Sequence, residues 1–290
     1  MKQFSPEILK KLYIPSPSSH KGQNGKLLII GGSKLFHAAS LWSLNIASRI
    51  VDMVFYSSVP ENNEIVNKAK QEFRNGIVVR RDQIEAYIEE ADCVLIGPGL
   101  PRKVGQEIGD DDTKELTERL LKKYAHKKWV IDGGSLQVIN PEVLLFLKEP
   151  ILTPHSKEFE KLFKFEIRNS KFEISSNVQN TKKENIVKQM AEKYNCVILL
   201  KGEGDIVCNP KECVRVSGGN AGMTKGGTGD VLAGLVAALY CKNDAFLSAS
   251  AGSYINKKAG DELYKRVGYY FNSSDLADEI PRVMNKLIVQ

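Results

Sequence analysis

The run Ser217-Gly218-Gly219-Asn220-Ala221-Gly222-Met223-Thr224-Lys225-Gly226-Gly227-Thr228-Gly229-Asp230-Val231-Leu232-Ala233-Gly234 joins a glycine-rich loop, one carboxylate and the start of an apolar helix. Glycine lets backbone N–H groups come close to an anion, and a helix N-terminus adds about half a positive charge there. Asp230 stands where a substrate hydroxyl would meet that anion. An anion hole for a moving phosphoryl group, with a base for its acceptor, is how phosphoryl-transfer sites are commonly built. The competing reading is a plain glycine loop whose aspartate merely caps the helix. So many glycines beside a capped helix cost conformational entropy, which argues for a ligand.

Other residues carry weaker signals. Ile151-Leu152 runs into Thr153-Pro154-His155-Ser156-Lys157-Glu158-Phe159. A purely structural reading makes Thr153 an N-cap, Pro154 the first helical residue and Glu158 a solvated first-turn acid. His20 lies in Pro15-Ser16-Pro17-Ser18-Ser19-His20-Lys21-Gly22, a loop too polar for a core and as well suited to the surface as to a site. His37 and His126 carry no motif and are read as structural or exposed. Asp110-Asp111-Asp112 has the composition of a metal site, but consecutive side chains diverge, so an exposed acidic loop is expected. Gly31-Gly32-Ser33 fails the Gly-x-Gly-x-x-Gly spacing of a dinucleotide loop.

These residues need elements to position them. Leu27 to Ile30, Met53 to Val59, Cys93 to Ile96, Trp129 to Ile131, Ile151-Leu152 and Val197 to Leu200 read as strands. Most stop at glycine or a polar residue: Gly31-Gly32-Ser33, Gly97-Pro98-Gly99, Asp132-Gly133-Gly134, Thr153-Pro154-His155 and Lys201-Gly202. Helix-period segments alternate with them at Ala38 to Val51, Thr113 to Tyr124 and Lys183 to Tyr194. This alternation predicts an α/β fold, a mainly parallel central sheet with helices on both faces. Ligands in such sheets bind at the carboxyl ends of strands. Further on, Asp205 to Val216 reads as a hairpin, the stripe Val231, Leu232, Leu235, Val236, Leu239 as a helix, and Ala245 to Lys258 as a second helix packed closely.

Composition narrows the function classes. A chain of 290 residues has room for one or two domains, and without repeat or linker a single domain over 1–290 is expected. The five cysteines are odd in number and contain no Cys-x-x-Cys, so neither a disulfide framework nor a zinc site is indicated. Cys208 and Cys213 flank Asn209-Pro210-Lys211-Glu212, read as a hairpin turn. Net charge is +6, spread along the chain. Its densest group, Arg119, Lys122, Lys123, His126, Lys127 and Lys128, reads as a solvated helix face without interleaved aromatics, so no nucleic-acid partner is expected. No signal region or membrane-spanning run is present, and a soluble, cytoplasmic protein is expected.

Taken in order, the motifs are similar to those of one family. Ser19-His20-Lys21-Gly22, Gly31-Gly32-Ser33 with Ala38-Ala39, Gly97-Pro98-Gly99-Leu100, Leu152-Thr153-Pro154-His155 with Glu158-Phe159, Leu200-Lys201-Gly202 and Asn220 to Gly234 span nearly the whole chain. The chain resembles the ADP- or ATP-dependent NAD(P)H-hydrate dehydratases of the ribokinase-like superfamily. It departs from the family at Ser156-Lys157, where Pro-Gly is usual, at Asp132-Gly133, where Asp-Ala is common, and at Asn220-Ala221-Gly222, where Asn-Pro-Gly is common. Many relatives carry a fused N-terminal epimerase domain; with only some two dozen residues before the first strand, this chain is expected to lack one.

The resemblance implies a substrate and a set of roles. The substrate would be NADH or NADPH hydrated at C6 of the nicotinamide ring. Phosphorylating its hydroxyl from ADP or ATP would create a leaving group that the ring nitrogen expels. Asp230 would be the base, and the N–H groups of Gly227, Thr228 and Gly229 the anion hole. Lys201, Gly202, Glu203, Gly204, Asp205 and Gly229 would line the nucleotide. Ala39, Gly99, His155 and Asp230 would contact the hydrated cofactor. Mg²⁺ is implied, with Glu158 near it indirectly. Members often form tetramers, so self-association is implied. Two rival readings remain at this point: a ribokinase-like kinase of a vitamin precursor or sugar, and a non-catalytic nucleotide-binding regulator.

Overall fold

The computed structural model describes residues 2–69, 76–102, 107–164 and 176–289. Among the described residues ten strands form one sheet: β1 (Lys2–Gln3), β2 (Lys26–Ile30), β3 (Met53–Ser57), β4 (Ile77–Val78), β5 (Cys93–Ile96), β6 (Lys128–Ile131), β7 (Ile151–Leu152), β8 (Val197–Leu200), β9 (Asp205–Cys208) and β10 (Cys213–Val216). Their order is β1-β10-β9-β8-β7-β6-β5-β2-β3-β4. Pairing is parallel throughout except where β9 runs antiparallel to β8 and to β10. The chain leaves β2 toward β3 and β4, then crosses back to β5 on the other side of β2. That reversal opens a crevice beyond the carboxyl ends of β2 and β5.

Alternation along the strands splits the core into two layers. Leu27, Ile29, Cys93, Leu95 and Val130 face one side, and Leu28, Ile30, Val94, Ile96 and Trp129 the other. On the first side lie α1 (His37–Ala47), α8 (Thr228–Tyr240), α9 (Ala245–Val267) and α10 (Ser273–Met284). The second side is covered by α3 (Ile84–Glu90), α4 (Thr113–Lys123), the short α5 (Gly133–Leu136), α6 (Ser156–Phe163) and α7 (Ser176–Lys193); α2 (Pro60–Ala69) follows β3. Each fully buried Leu or Ile adds about 1.5–3 kcal/mol of hydrophobic stabilisation. The indole of buried Trp129 donates to the Tyr124 carbonyl at 2.9 Å. Among the described residues no helix is long and apolar enough to cross a membrane.

Several sequence expectations are corrected here. Helix α9 runs to Val267, nine residues past the expected end at Lys258, with Gly260 inside it. That glycine admits Met223, whose sulfur would stand 2.3 Å from a Cβ placed there. Cys208 and Cys213 are paired as a disulfide, because the hairpin register sets them directly opposite with Cα atoms 4.2 Å apart. Cys93, Cys196 and Cys241 are buried thiols. The acidic run is no free loop. Asp110 accepts the N–H groups of Lys34 and Glu107, Asp111 pairs with Arg81 at 2.8 Å, and Asp112 caps α4. In the basic group around α4, Arg119, Lys122, Lys123 and His126 are exposed, as expected of a solvated face, and Arg119 and Lys123 each pair with Glu85 at 2.6 Å. These two hydrogen-bonded cations hold the Glu85 carboxyl down at about 2.

Candidate active site

The parallel ladder continues one residue past five strands. Gly31 N–H donates to Ser57 O, Gly97 to Ile30, Asp132 to Ile96, Thr153 to Ile131 and Lys201 to Pro154, over 2.8 to 3.2 Å. Five residues distant in sequence thereby form one row along the carboxyl edge of the sheet. Glycines are needed where the loops cross. Gly97, at φ +120°, would place a Cβ 1.8 Å from the Asp132 carbonyl oxygen.

Polar side chains converge in this row. Buried Asp132 accepts from Thr153 Oγ1 at 2.7 Å and from Lys201 Nζ at 3.0 Å, both on Oδ1. Buried Glu158 lies in the first turn of α6, where its Oε2 accepts the His155 N–H at 2.9 Å and its own N–H donates to His155 Nδ1 at 3.2 Å. His155, not Thr153, is therefore the N-cap, and Glu158 is the buried half of a capping box rather than a solvated acid. Gln137 Nε2 donates to Glu158 Oε1 at 3.3 Å. His155 itself is half-exposed.

Asp230 meets this cluster from the first turn of α8. The helix is fixed by close contact with α1: a Cβ on Gly234 would stand 2.7 Å from Ser43 Cα, and Ser43 Oγ donates to the Asp230 carbonyl at 2.8 Å. Gly227, the N-cap at φ +94°, leaves room for Trp42, whose ring carbon would lie 2.3 Å from a Cβ. Burial and then the nearby Asp132 push the Asp230 carboxyl up to about 7, with Glu158 adding to the rise and Lys201 opposing it. Burial pulls the Lys201 ammonium down, but Asp132, Glu158 and Asp230 outweigh it, and its pKa ends above the usual lysine value. The amides of Gly227, Thr228 and Gly229 precede the first i→i−4 bond of α8, Val231 N–H to Gly227 O at 3.0 Å. A Cβ on Gly229 would point at Lys201 Nζ, 3.4 Å away. The site thus sets a carboxyl poised near neutrality, a lysine and an open helix N-terminus around one gap, an arrangement fit to move a proton beside an anion.

Comparison with known proteins places the chain. The family model for NAD(P)H-hydrate dehydratase matches residues 27–282. The chain belongs to the NAD(P)H-hydrate dehydratase family. It is 38% identical over 281 residues to the "Bifunctional NAD(P)H-hydrate repair enzyme Nnr" of Methanocaldococcus jannaschii, covering 95% of this chain and 51% of that protein. The chain spans about half the length of the first curated relatives it matches. To the "ADP-dependent (S)-NAD(P)H-hydrate dehydratase" of Nitrosopumilus maritimus it is 33% identical over 286 residues, 95% of this chain and 94% of the other. In fold it is similar to the Bacillus subtilis ADP/ATP-dependent NAD(P)H-hydrate dehydratase co-crystallised with ATP and Mg²⁺, at TM-score 0.78 and 22% identity over 99% of this chain and 98% of that one. A ribokinase-like superfamily protein of Enterococcus faecalis matches at TM-score 0.78 and 21% identity, over 100% and 97%. The fold is ribokinase-like.

Within this dehydratase-family chain, expected residues meet in two places along the carboxyl edge of the sheet, Ala39 with Gly99 and Lys201 with Gly229. Gly99, at φ +70°, would place a Cβ 3.0 Å from Ala39 Cβ. Of Lys201 to Asp205, Lys201 reaches Gly229 with its side chain. The Asp205 carboxylate, however, is fully committed within the protein, to Gly202 N–H at 2.9 Å, Ser253 Oγ at 2.7 Å and Lys257 Nζ at 3.3 Å. Ser19-His20-Lys21-Gly22 is not brought to this edge. It precedes β2, is tied through Gly22 N–H to Asp52 just before β3, and leaves His20 exposed at the amino ends of the strands. Sequence reasoning misses Asp132 and Thr153 as chemical groups; their position one residue past a strand is the signal that could have found them. Lys257 gives none.

Gly229→Val fills the gap between α8 and Lys201. Its affinity for nucleotide, read by calorimetry, is expected to fall about tenfold or more. Native affinity would count against a nucleotide site at that gap.

Proposed function

We propose that this chain restores NADH or NADPH from the form hydrated at C6 of the nicotinamide ring, consuming ADP or ATP. The observation that carries the reading is Asp230, poised near neutrality beside the uncapped amides of α8 and Lys201. Relatives named as ADP-dependent favour ADP as the donor.

Asp230 takes the proton of the C6 hydroxyl as that oxygen attacks the terminal phosphoryl group. The amides of Gly227, Thr228 and Gly229 receive the charge that develops on the transferring group. Thr228 N–H makes only a 3.4 Å bond to Lys225 O and is readily redirected. Lys201, whose Nζ reaches the open side of Gly229, supplies a cation beside the gap. The ring nitrogen's lone pair then expels phosphate as the C6–O bond breaks, and loss of a C5 proton restores the dihydropyridine.

Magnesium carried in with the nucleotide would neutralise phosphoryl charge in this site. The residues fit an ion that keeps its own waters. Among the described residues no group of three metal-ligating side chains gathers, while Glu158 is a buried carboxylate whose Oε1 meets only longer contacts, Gln137 Nε2 at 3.3 Å and His155 Nε2 at 3.5 Å. Glu158 would hold such an ion through water.

The deciding experiment follows the near-ultraviolet absorbance of reduced nicotinamide, starting from acid-prepared hydrated NADH or NADPH, with Mg²⁺ and either ADP or ATP. Nucleotide-dependent recovery with release of phosphate is expected. A folded, nucleotide-binding protein that gives no recovery would overturn the reading, and turnover of another hydroxyl substrate to a stable phosphate ester would replace it with a kinase. His155→Ala is expected to raise KM for the hydrated cofactor about tenfold, and to cost about 1 kcal/mol through the lost cap. An unchanged KM in steady-state kinetics would leave His155 with the cap alone.

A further inference from the structure

Lys257 is buried on α9, and the reaction above gives it no task. Its ammonium donates to the carbonyls of Gly202 and Glu203, each at 3.1 Å, and lies 3.3 Å from Asp205 Oδ1. Its aliphatic stem touches a second loop. A Cβ on Gly219 would stand 3.3 Å from Lys257 Cγ, and one on Gly218 would stand 3.7 Å from Lys257 Cβ. The same helix holds that loop directly, with Asp261 Oδ1 accepting Gly219 N–H at 3.0 Å and Gly260 O accepting Asn220 Nδ2 at 2.8 Å. Ser253, Lys257 and Asp261 recur every fourth residue and so share one helix face. One side chain ties the 202–205 loop to the glycine loop at 218–219.

In a trans peptide, the C=O of one residue and the N–H of the next point in opposite directions. Turning the Gly202 and Glu203 carbonyls onto Lys257 therefore turns the Glu203 and Gly204 N–H groups away from it. Neither N–H meets a backbone acceptor among the described residues. Two adjacent outward donors suit an acceptor-rich ligand, such as the phosphate or ribose oxygens of a nucleotide.

We propose that Lys257 is a positioning residue for the nucleotide: it fixes the spacing of the two loops and aims the Glu203 and Gly204 amides at the ligand. This rests on the reading of residues 201–205 as the nucleotide loop. The test is calorimetric titration of ADP and of ATP into the native chain, Lys257→Ala and Ser253→Ala. Lys257→Ala is expected to lose about 10–100-fold in affinity, with ammonium chloride, but not sodium chloride, recovering most of it. Its KM for hydrated cofactor should stay within about twofold, because the Ala39 and Gly99 side of the crevice is untouched. Ser253→Ala keeps the lysine but loosens Asp205, and should lose about 3–10-fold. Native nucleotide affinity in folded Lys257→Ala, or equal losses for both substrates, overturns the inference. If Lys257→Ala does not fold, native affinity in Ser253→Ala overturns it. A native chain that binds neither nucleotide overturns the nucleotide-loop reading first, and the inference with it.

Discussion

Asp230→Asn is expected to lower turnover by about 10²–10⁴-fold while leaving nucleotide affinity near native, the share that a positioned base usually contributes. Asparagine keeps the size of the side chain and removes its basicity, so the loss isolates proton transfer. In the native chain, activity should fall as pH drops through about 7, where Asp230 gains its proton. Asp230→Asn should abolish that acid limb. Near-native turnover would remove Asp230 from the base role.

The same substitution carries a stability signature of opposite sign. The folded-state pKa of Asp230 lies above its unfolded value, from 3.8 to about 7, so the folded state holds a proton that the unfolded chain has released. Stability is therefore lost as pH rises through that window and stays lost above it. Asp230→Asn removes the cost and should stabilise the protein at about pH 8 by on the order of 2 kcal/mol, less than the full shift because Asp230 keeps some solvent access. The gain should vanish near pH 4. Thermal unfolding at the two pH values checks this, and an equal effect at both would contradict the assignment.

Gly97→Ala is expected to produce the largest loss of stability. Alanine there must adopt φ +120° with its Cβ 1.8 Å from the Asp132 carbonyl oxygen, which is backbone and cannot swing aside. The Gly97 carbonyl also accepts from the N–H groups of Leu100 and Gly134, at 3.0 and 3.1 Å. Moving it would pull apart the loops after β5 and β6, and Asp132 with them. We expect a loss of about 4 kcal/mol or more, seen as a large drop in Tm or failure to fold. Gly226→Ala is the control. Nothing lies within 4 Å of a Cβ at that position, and its Tm should stay close to native. A Gly97→Ala protein with native Tm would mean that the two loops have room the structure does not show.

Much of the candidate site is legible in the sequence because its signals are local. Gly227, Thr228, Gly229 and Asp230 follow one another, and an anion hole at a helix start needs only consecutive amides. The α/β alternation and the polar residue after each strand are legible for the same reason, since strand and helix periods are short-range properties. The sequence sets the cap of α6 two residues early, because Thr153 and Pro154 look like a cap and first turn until Thr153 Oγ1 is seen to donate to Asp132 instead.

What tertiary structure alone decided was which of these local pieces meet. Asp132, Thr153 and Lys201 come from three strands joined by long connections, and only the order β6-β7-β8 sets them side by side. The near-neutral carboxyl of Asp230 depends on that meeting, because burial and a neighbouring charge are properties of position rather than residue type. The Cys208–Cys213 pair required the hairpin register, Lys257 required α9 to lie across two loops, and the Gly260 and Asp261 contacts required that helix to run past Lys258. By itself the sequence determined the parts and their local chemistry, including the fold class. Folding chose their partners, because the distances that make an ion pair or a proton-accepting carboxylate arise between residues far apart in the chain.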